Sequence, residues 1–294
     1  VVIDTHVHLY PPEVNTDPEG WARFNRESHW ARLATRVRKN GRPVQSFPTL
    51  EQLLAGMDGA GIGRAVLLGW YWEQAESCVR QNRFYAQCVR RHPDRLAAAV
   101  TIQPRAGTRH VEDELSWAQQ EGFRAVGELS PHSQGYAIDD AAFEFVLRQA
   151  GTWKWPVNLH VTAPDARPYS GMVPTPLPDF VRLAEGFPGT DFILAHFGGA
   201  KQAGVGADCA RPNIYFDSAA WPLSYGHEIW QRFPPGRVIF GSDFPLNSFP
   251  ALDAEPSLRR LIEGVRSGSG LGPAEQAAVL GGTAKRWFSV NATI

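Results

Sequence analysis

The chain has 294 residues, 43% of them hydrophobic, and a formal net charge of −1 with histidines neutral. That balance gives no bulk electrostatic attraction to nucleic acid or an anionic membrane surface, and no apolar run approaches the ~20 residues that span a bilayer. The length suits two small domains or one large α/β barrel, since barrels of about 250 residues are ordinary single domains. Cys78, Cys88 and Cys209 are scattered without a Cys-x-x-Cys spacing. They read as reduced thiols of a cytoplasmic protein, not as a disulfide frame. The sequence starts at Val1, already inside a strand, so the want of a leader segment carries little weight.

Val1-Val2-Ile3-Asp4-Thr5-His6-Val7-His8 is β-branched and apolar up to Asp4, the pattern of a fully buried strand. Side chains alternate along a strand, so His6 and His8 share a face, about 7 Å apart along the chain. From Leu9 to about Phe47 a long polar stretch carries Trp21, Phe24, Trp30 and a basic cluster of Arg32, Arg36, Arg38, Lys39 and Arg42. It reads as a lid over a site or as a solvated basic helix on the rim. A helix is predicted over 49–57, then a strand over 64–70, and an amphipathic helix from Glu73 to His92 stopped by Pro93. Strands follow at 96–102 and 124–129, with a helix from Thr108 to Gln120 between them. A helix from Asp139 to Ala150 ends at Gly151, and a fifth strand covers 156–161. The proline-rich loop from Thr162 to Pro178 precedes a helix over 177–186. Strands at 191–196, 213–217 and 237–243 complete the set, with closing helices near 256–266, 273–280 and 284–288.

Eight apolar strands alternating with helices require a parallel sheet covered on both faces. They predict a closed (β/α)8 TIM barrel, one domain over residues 1–294, with long loops after strands 1 and 5. A doubly wound open sheet is the rival. It would carry a glycine-rich phosphate turn after its first strand, where this chain has His-x-His and prolines.

A barrel active site sits at the C-terminal strand ends. Five strands end there in a potential ligand: His6 and His8, then Glu128, His160, His196 and Asp243. One ion can take two or three imidazoles with a carboxylate and keep a position for water, which then supplies hydroxide near neutral pH. These residues stand in Asp-Thr-His-Val-His at 4–8, Gly-Glu-Leu at 127–129, Val-Asn-Leu-His at 157–160, Leu-Ala-His-Phe-Gly-Gly at 194–199 and Phe-Gly-Ser-Asp-Phe-Pro at 240–245. With the closing Gly-Thr-Ala-Lys-Arg-Trp-Phe at 282–288 they resemble the amidohydrolase superfamily over the whole chain. The resemblance is nearest its amidohydrolase 2 branch of metal-dependent hydrolases and decarboxylases.

The resemblance implies that His6, His8 and His160 bind metal, and that Asp243 is a further ligand and the base for the metal-bound water. It makes His196 either a second-metal ligand or a catalytic charged group steadying the substrate or the activated water, the latter in a one-metal site. Many two-metal relatives bridge their ions with a carboxylated lysine on the fourth strand. Here Glu128 stands in its place, either bridging two ions or orienting a ligand histidine. Zinc leads as the metal, with manganese, iron and cobalt using similar donors, as one or two ions. A homodimer is the prior from the branch.

Trp70, Tyr71, Trp72, Tyr169 and Trp221 follow strands two, five and seven, where aromatics shape an apolar substrate pocket. Asp4 reads as supporting or core-paired, and Asp217 and Ser218 as support for Asp243 or His196. His29 and His132 read as solvated loop residues, and His92 and His110 as structural. The leading function is hydrolysis of a small ester, lactone or amide. The alternative is non-oxidative decarboxylation of an aromatic or unsaturated acid, which needs a fixed cation for the carboxylate. Arg23, Arg26 and Arg167 are the candidates. A non-catalytic binding barrel would show a broken ligand set, and a nuclease would need a groove that the neutral chain and aromatic rim argue against.

Overall fold

Eight strands lie parallel in one sheet, in the order of the chain. They are β1 (Val2–Val7), β2 (Ile62–Leu67), β3 (Leu96–Val100), β4 (Ala125–Leu129), β5 (Val157–Leu159), β6 (Phe192–Leu194), β7 (Ile214–Asp217) and β8 (Val238–Ile239). The computed structural model describes residues 1–39, 41–162, 168–199, 211–220, 228–233, 235–246 and 257–289. The ends of the sheet meet: Thr5 N donates to the Phe240 carbonyl at 2.9 Å, Asp243 N to the His6 carbonyl at 2.9 Å, and Val7 bridges Phe244 in parallel. The molecule is a TIM barrel, as the alternation of strands and helices predicts.

Nearly every strand residue is buried on both faces, which is why the strands read as unbroken apolar runs. Ile3, Val66, Leu68, Ala97, Ala99, Ala125, Ile193, Tyr215 and Ile239 fill the barrel with Trp287 and Phe288 against them. The outward set, including Val2, Val7, Leu67, Val100 and Val126, packs beneath the helices.

The first long loop holds α1 (Pro12–Thr16), α2 (Pro18–Asn25) and α3 (Ser28–Ala34); then come α4 (Leu50–Ala60), α5 (Ala75–Arg91), α6 (Thr108–Gln120), α7 (Pro131–Gln134), α8 (Ala141–Trp153) and α9 (Leu177–Gly186). Thr49 and Gln52 form a reciprocal capping box on α4, and Gly61 ends it at φ 71°. Helix α8 does not stop at Gly151 but runs to Trp153. That glycine is there for close approach, because a Cβ would meet Thr190 Oγ1 at 2.7 Å. The loop after β1 is neither structureless nor simply a solvated rim. Tyr10, Val14, Trp30 and Ala34 form a small core with Trp70, Tyr71 and Trp72 from the end of β2.

Candidate metal centre

The site forms where β1, β4, β5, β6 and β8 end. His6 lies within β1 and His8 just beyond it; Glu128 is in β4, and His160 follows β5. His196 does not end β6 but stands on a left-handed turn, with φ of 58°, 52°, 62° and 74° from His196 to Gly199. Asp243 lies four residues past the short β8, itself at φ 60°. Non-glycine residues at positive φ are uncommon and gather at functional sites.

The donors' outer hydrogen bonds decide what their inner atoms can do. His8 Nδ1 is 2.9 Å from the Leu68 carbonyl, which only accepts, so that nitrogen carries the proton. His6 Nδ1 is 2.9 Å from Asp217 Oδ2 and donates likewise. Both Nε2 atoms therefore present lone pairs to each other at 3.1 Å. Two facing acceptors need a cation or a shared proton between them. Asp243 Oδ1 is 3.6 Å from each Nε2, and Glu128 Oε2 is 3.8 Å from His6 and 3.6 Å from His8. These edges match the roughly 3.4 Å between ligands on a tetrahedral ion with bonds of about 2.1 Å. The residues fit a divalent ion.

A second group, Glu128, His160 and His196, adjoins the first group of His6, His8 and Asp243. His160 Nδ1 is 3.0 Å from Glu128 Oε1 and 3.2 Å from His196 Nε2. His196 Nδ1 donates to the Ala219 carbonyl at 3.2 Å, which leaves Nε2 as an acceptor. His160 Nε2 lies 3.2 Å from the Thr162 hydroxyl, which can accept or donate. With its proton on Nδ1, His160 serves Glu128 and His196 and closes this group without an ion. With the proton on Nε2, His160 offers a further nitrogen to a metal.

Charge in the cage follows from burial and neighbours. Burial alone would lower His6, but the Asp217, Glu128 and Asp243 carboxylates overturn that and raise it to about 10. The cage thus draws one positive charge, the demand a metal ion meets. Burial lowers His8 to about 3, with His6 adding to the effect. Burial would raise Glu128, yet His160 and His6 hold it well below the usual carboxylate range. Burial raises Asp243 to about 6 against the pull of His6 and His196.

Asp217 also accepts from Asn158 Nδ2 at 2.9 Å and from the backbone of His196 and Ala219 at 3.0 Å each. It supports His6 and His196 rather than Asp243. Asp4 accepts from His6 N and Ser242 N and so ties β1 to the segment before Asp243. The sequence reading did not single out Asn158 or the Leu68 carbonyl, because neither type suggests a metal.

Trp70 lines the site, its ring 5.3 Å from His8. Tyr71 stacks on Trp70 at 4.5 Å and meets the His160 ring at 4.8 Å. Trp72 is turned away: its ring packs on Trp21 and Trp30, and Nε1 donates to Gln81 at 2.6 Å. Tyr169 lies under Arg36, whose guanidinium carbon is 4.5 Å from the ring centre. Arg23 and Arg26 are exposed on the outside of α2 and its C-terminal cap, while Arg167 and Trp221 lie outside the described residues. His29 is not solvated. It is buried, with Nε2 2.8 Å from the Gly171 carbonyl and its ring 5.8 Å from Tyr71. His132 pairs with Asp179 at 2.9 Å, away from the donors.

A family model described as Amidohydrolase matches residues 3–290, and the chain belongs to that family, Amidohydro_2. A comparison with curated proteins finds no match. Among solved structures, the fold is similar to 5-carboxyvanillate decarboxylase from Sphingomonas paucimobilis, with TM-score 0.68, 18% identity and coverage of 98% of this chain and 99% of that one. It is similar to the enzyme of the same name from Novosphingobium aromaticivorans, complexed with manganese and 4-hydroxy-3-methoxy-5-nitrobenzoic acid, with TM-score 0.72, 17% identity and coverage of 99% and 96%. It is also similar to a probable 2-pyrone-4,6-dicarboxylic acid hydrolase from Acinetobacter baumannii, with TM-score 0.65, 15% identity and coverage of 98% and 99%. At such identities the likeness establishes the fold. The family contains both carboxy-lyases and hydrolases, and a divalent metal accords with the donor groups. Among the described residues no helix is long and apolar enough to cross a membrane.

Proposed function

We propose that the protein is a metal-dependent non-oxidative decarboxylase of an aromatic or unsaturated carboxylic acid. The observation that carries this reading is the aromatic wall beside the donors, where Tyr71 stacks on Trp70 and meets the His160 ring at a 40° tilt. A flat substrate lies against such a wall with its acid group toward the metal cage. Hydrolysis of a small ester, lactone or amide is the second choice.

A bound divalent ion would supply the Lewis-acid charge that gathers the anionic oxygens of the substrate. His6, His8 and Asp243 would hold it with Glu128, and His160 would offer a further nitrogen when its proton sits on Nε2. Manganese and zinc both suit nitrogen with carboxylate, and manganese is the ion in the Novosphingobium enzyme. Decarboxylation breaks the bond between ring carbon and carboxylate and leaves the electron pair on that carbon, which then needs one proton. Asp243 is the carrier, with Oδ1 toward the cage and Oδ2 4.0 Å from His196 Nδ1. Arg36 supplies the cation that the acid requires. It is half-buried, and among the described residues no carboxylate pairs with it. The buried free thiols Cys78 and Cys88 suit a cytoplasmic enzyme. A single domain acting as a homodimer completes the proposal.

One observation favours the second reading. The two oxygens of Glu128 face different groups, Oε2 toward His6 and His8 and Oε1 toward His160 and His196. A glutamate so placed can bridge two ions, an arrangement suited to hydrolysis of an ester, lactone or amide by metal-activated water. The test offers manganese- or zinc-reconstituted protein 5-carboxyvanillate, dihydroxybenzoates and a panel of lactones. Carbon dioxide release from an aromatic acid supports the proposal, and a KM raised about tenfold in Arg36→Gln supports the cation's role. Lactone opening without carbon dioxide release from any acid overturns the decarboxylase in favour of the hydrolase.

A further inference from the structure

Asn158 stands in the middle of β5, between the buried Val157 and Leu159 and two residues before His160. Central parallel strands are ordinarily apolar throughout, so an amide there needs a reason. Asn158 pairs in register with Ile193 of β6, a residue that fills the barrel, so its side chain points inward. Gly127 makes room for it. A Cβ at that position would stand 2.6 Å from the Asn158 carbonyl oxygen and 3.0 Å from its Cβ.

The amide is used on one side. Nδ2 donates to Asp217 Oδ2 at 2.9 Å, while Oδ1 is buried and, among the described residues, has no partner. Turning the amide over would set its oxygen against the carboxylate, so Nδ2 has to face Asp217. An unpaired acceptor in a dry interior is costly, and the bond to Asp217 is what offsets it. Asp217 is fully buried. Its Oδ2 accepts from Asn158 Nδ2 and His6 Nδ1, each at 2.9 Å, and its Oδ1 from the backbone of His196 and Ala219, each at 3.0 Å. These bonds fill the roughly four acceptor sites of a carboxylate and fix its plane. Backbone holds Oδ1; Asn158 is the group that holds Oδ2 in place for His6.

We propose that Asn158 is a positioning residue for the metal centre. Its amide pins Asp217 Oδ2 in line with the His6 Nδ1 proton, and through that bond keeps His6 Nε2 turned toward a divalent ion. Without the amide, Oδ2 is tied to His6 alone, and the imidazole is held less firmly. Outer partners of this kind govern how tightly a histidine holds its metal. The inference concerns the cage and holds for a carboxy-lyase and a hydrolase alike.

The test is a double-mutant cycle on metal affinity, read by chelator competition with manganese and with zinc in the absence of substrate. Asn158→Leu removes the amide and its unpaired oxygen at similar volume. Asp217→Asn removes the carboxylate on which the amide acts. The proposal expects Asn158→Leu to bind metal about tenfold more weakly in the otherwise wild-type protein, the lower end of the range for such partners. It expects no further loss when Asn158→Leu is added to Asp217→Asn. A packing defect would weaken binding in both backgrounds alike, and that result overturns the proposal. Unchanged affinity in Asn158→Leu overturns it as well. The thermal midpoint of each metal-free protein is measured alongside, and Asn158→Ala takes the place of Asn158→Leu where the latter does not fold. If neither variant folds, Asn158 serves the barrel itself and the proposal falls. Wild type that binds neither metal removes the centre and this inference together.

Discussion

At His6 and His8 the proton on Nδ1 fixes the role of Nε2, so the residues behind the donors matter as much as the donors. Asp217 accepts the hydrogen bond from His6 Nδ1 and also those from Asn158 and the His196 backbone. Asp217→Asn is expected to weaken metal binding by about ten- to hundredfold, the usual effect of losing such a partner. Chelator competition measures it, and an unchanged affinity would show that His6 needs no orienting carboxylate. Gly241 sets a steric limit on the same histidine, because a Cβ there would stand 2.8 Å from the His6 Cβ. Gly241→Ala is expected to cost about 1–3 kcal/mol in denaturant unfolding and to lower metal content together with stability. A variant of wild-type stability that keeps its metal would contradict that packing. His6 and His8 were legible in the sequence because a period of two puts them on one face. The role of Asp217 was only half legible, since its bond to His6 spans 211 residues and no local pattern announces it.

Among the elements, the loop after β1 is locked to the end of β2 by two carboxylates that cap each other's helices. Glu27 accepts from Glu73 N and Gln74 N at the start of α5, and Glu73 accepts from His29 N at the start of α3. His29 then reaches Gly171 in the loop after β5. Burial raises Glu27 from 4.5 to about 7, with the Glu73 carboxylate adding to the rise against hydrogen bonds from Ser77 and the helix start. A carboxyl with a higher pKa folded than unfolded binds more protons in the folded state. Its contribution is complete below pH 4.5 and lost as pH rises through about 7. Wild type is therefore expected to lose up to a few kcal/mol of stability from this group between pH 5 and 8. Glu27→Gln is expected to show a flatter profile over that range in denaturant titrations. Parallel profiles would mean that Glu27 does not titrate there. The loop's helices are short, from 5 to 8 residues, and the basic cluster masked them. A signal was present at Asp17-Pro18, where the Asp17 side chain accepts from Gly20 N and caps α2.

For the whole molecule, the barrel brings together six side chains spread from residue 6 to residue 243, and the order of strands around the ring puts them at one end. This much was legible because continuous apolar strands alternating with helices leave few other architectures. What stayed hidden was the conformation after the strands. His196 and Asp243 reach the cage through left-handed backbone, not as strand-end residues. No strand periodicity encodes that, although Gly198 and Gly199 mark a turn in the first case. In the sequence the aromatic rim is one feature, whereas the barrel divides it: Trp70 and Tyr71 face the donors, and Trp72 belongs to the core of the first loop.

The most direct measurement is elemental analysis of divalent metal per chain after manganese reconstitution and exhaustive dialysis. The tautomers of His6 and His8 call for a cation or a shared proton between their Nε2 atoms, a place a divalent ion fits, while the group around His160 can close on its own proton. The account predicts one retained ion per chain, lost in His6→Ala. Two ions per chain, falling to one in Glu128→Ala, would contradict the single cage and favour the bridged hydrolase. No retained ion in the wild type would contradict the metal centre itself.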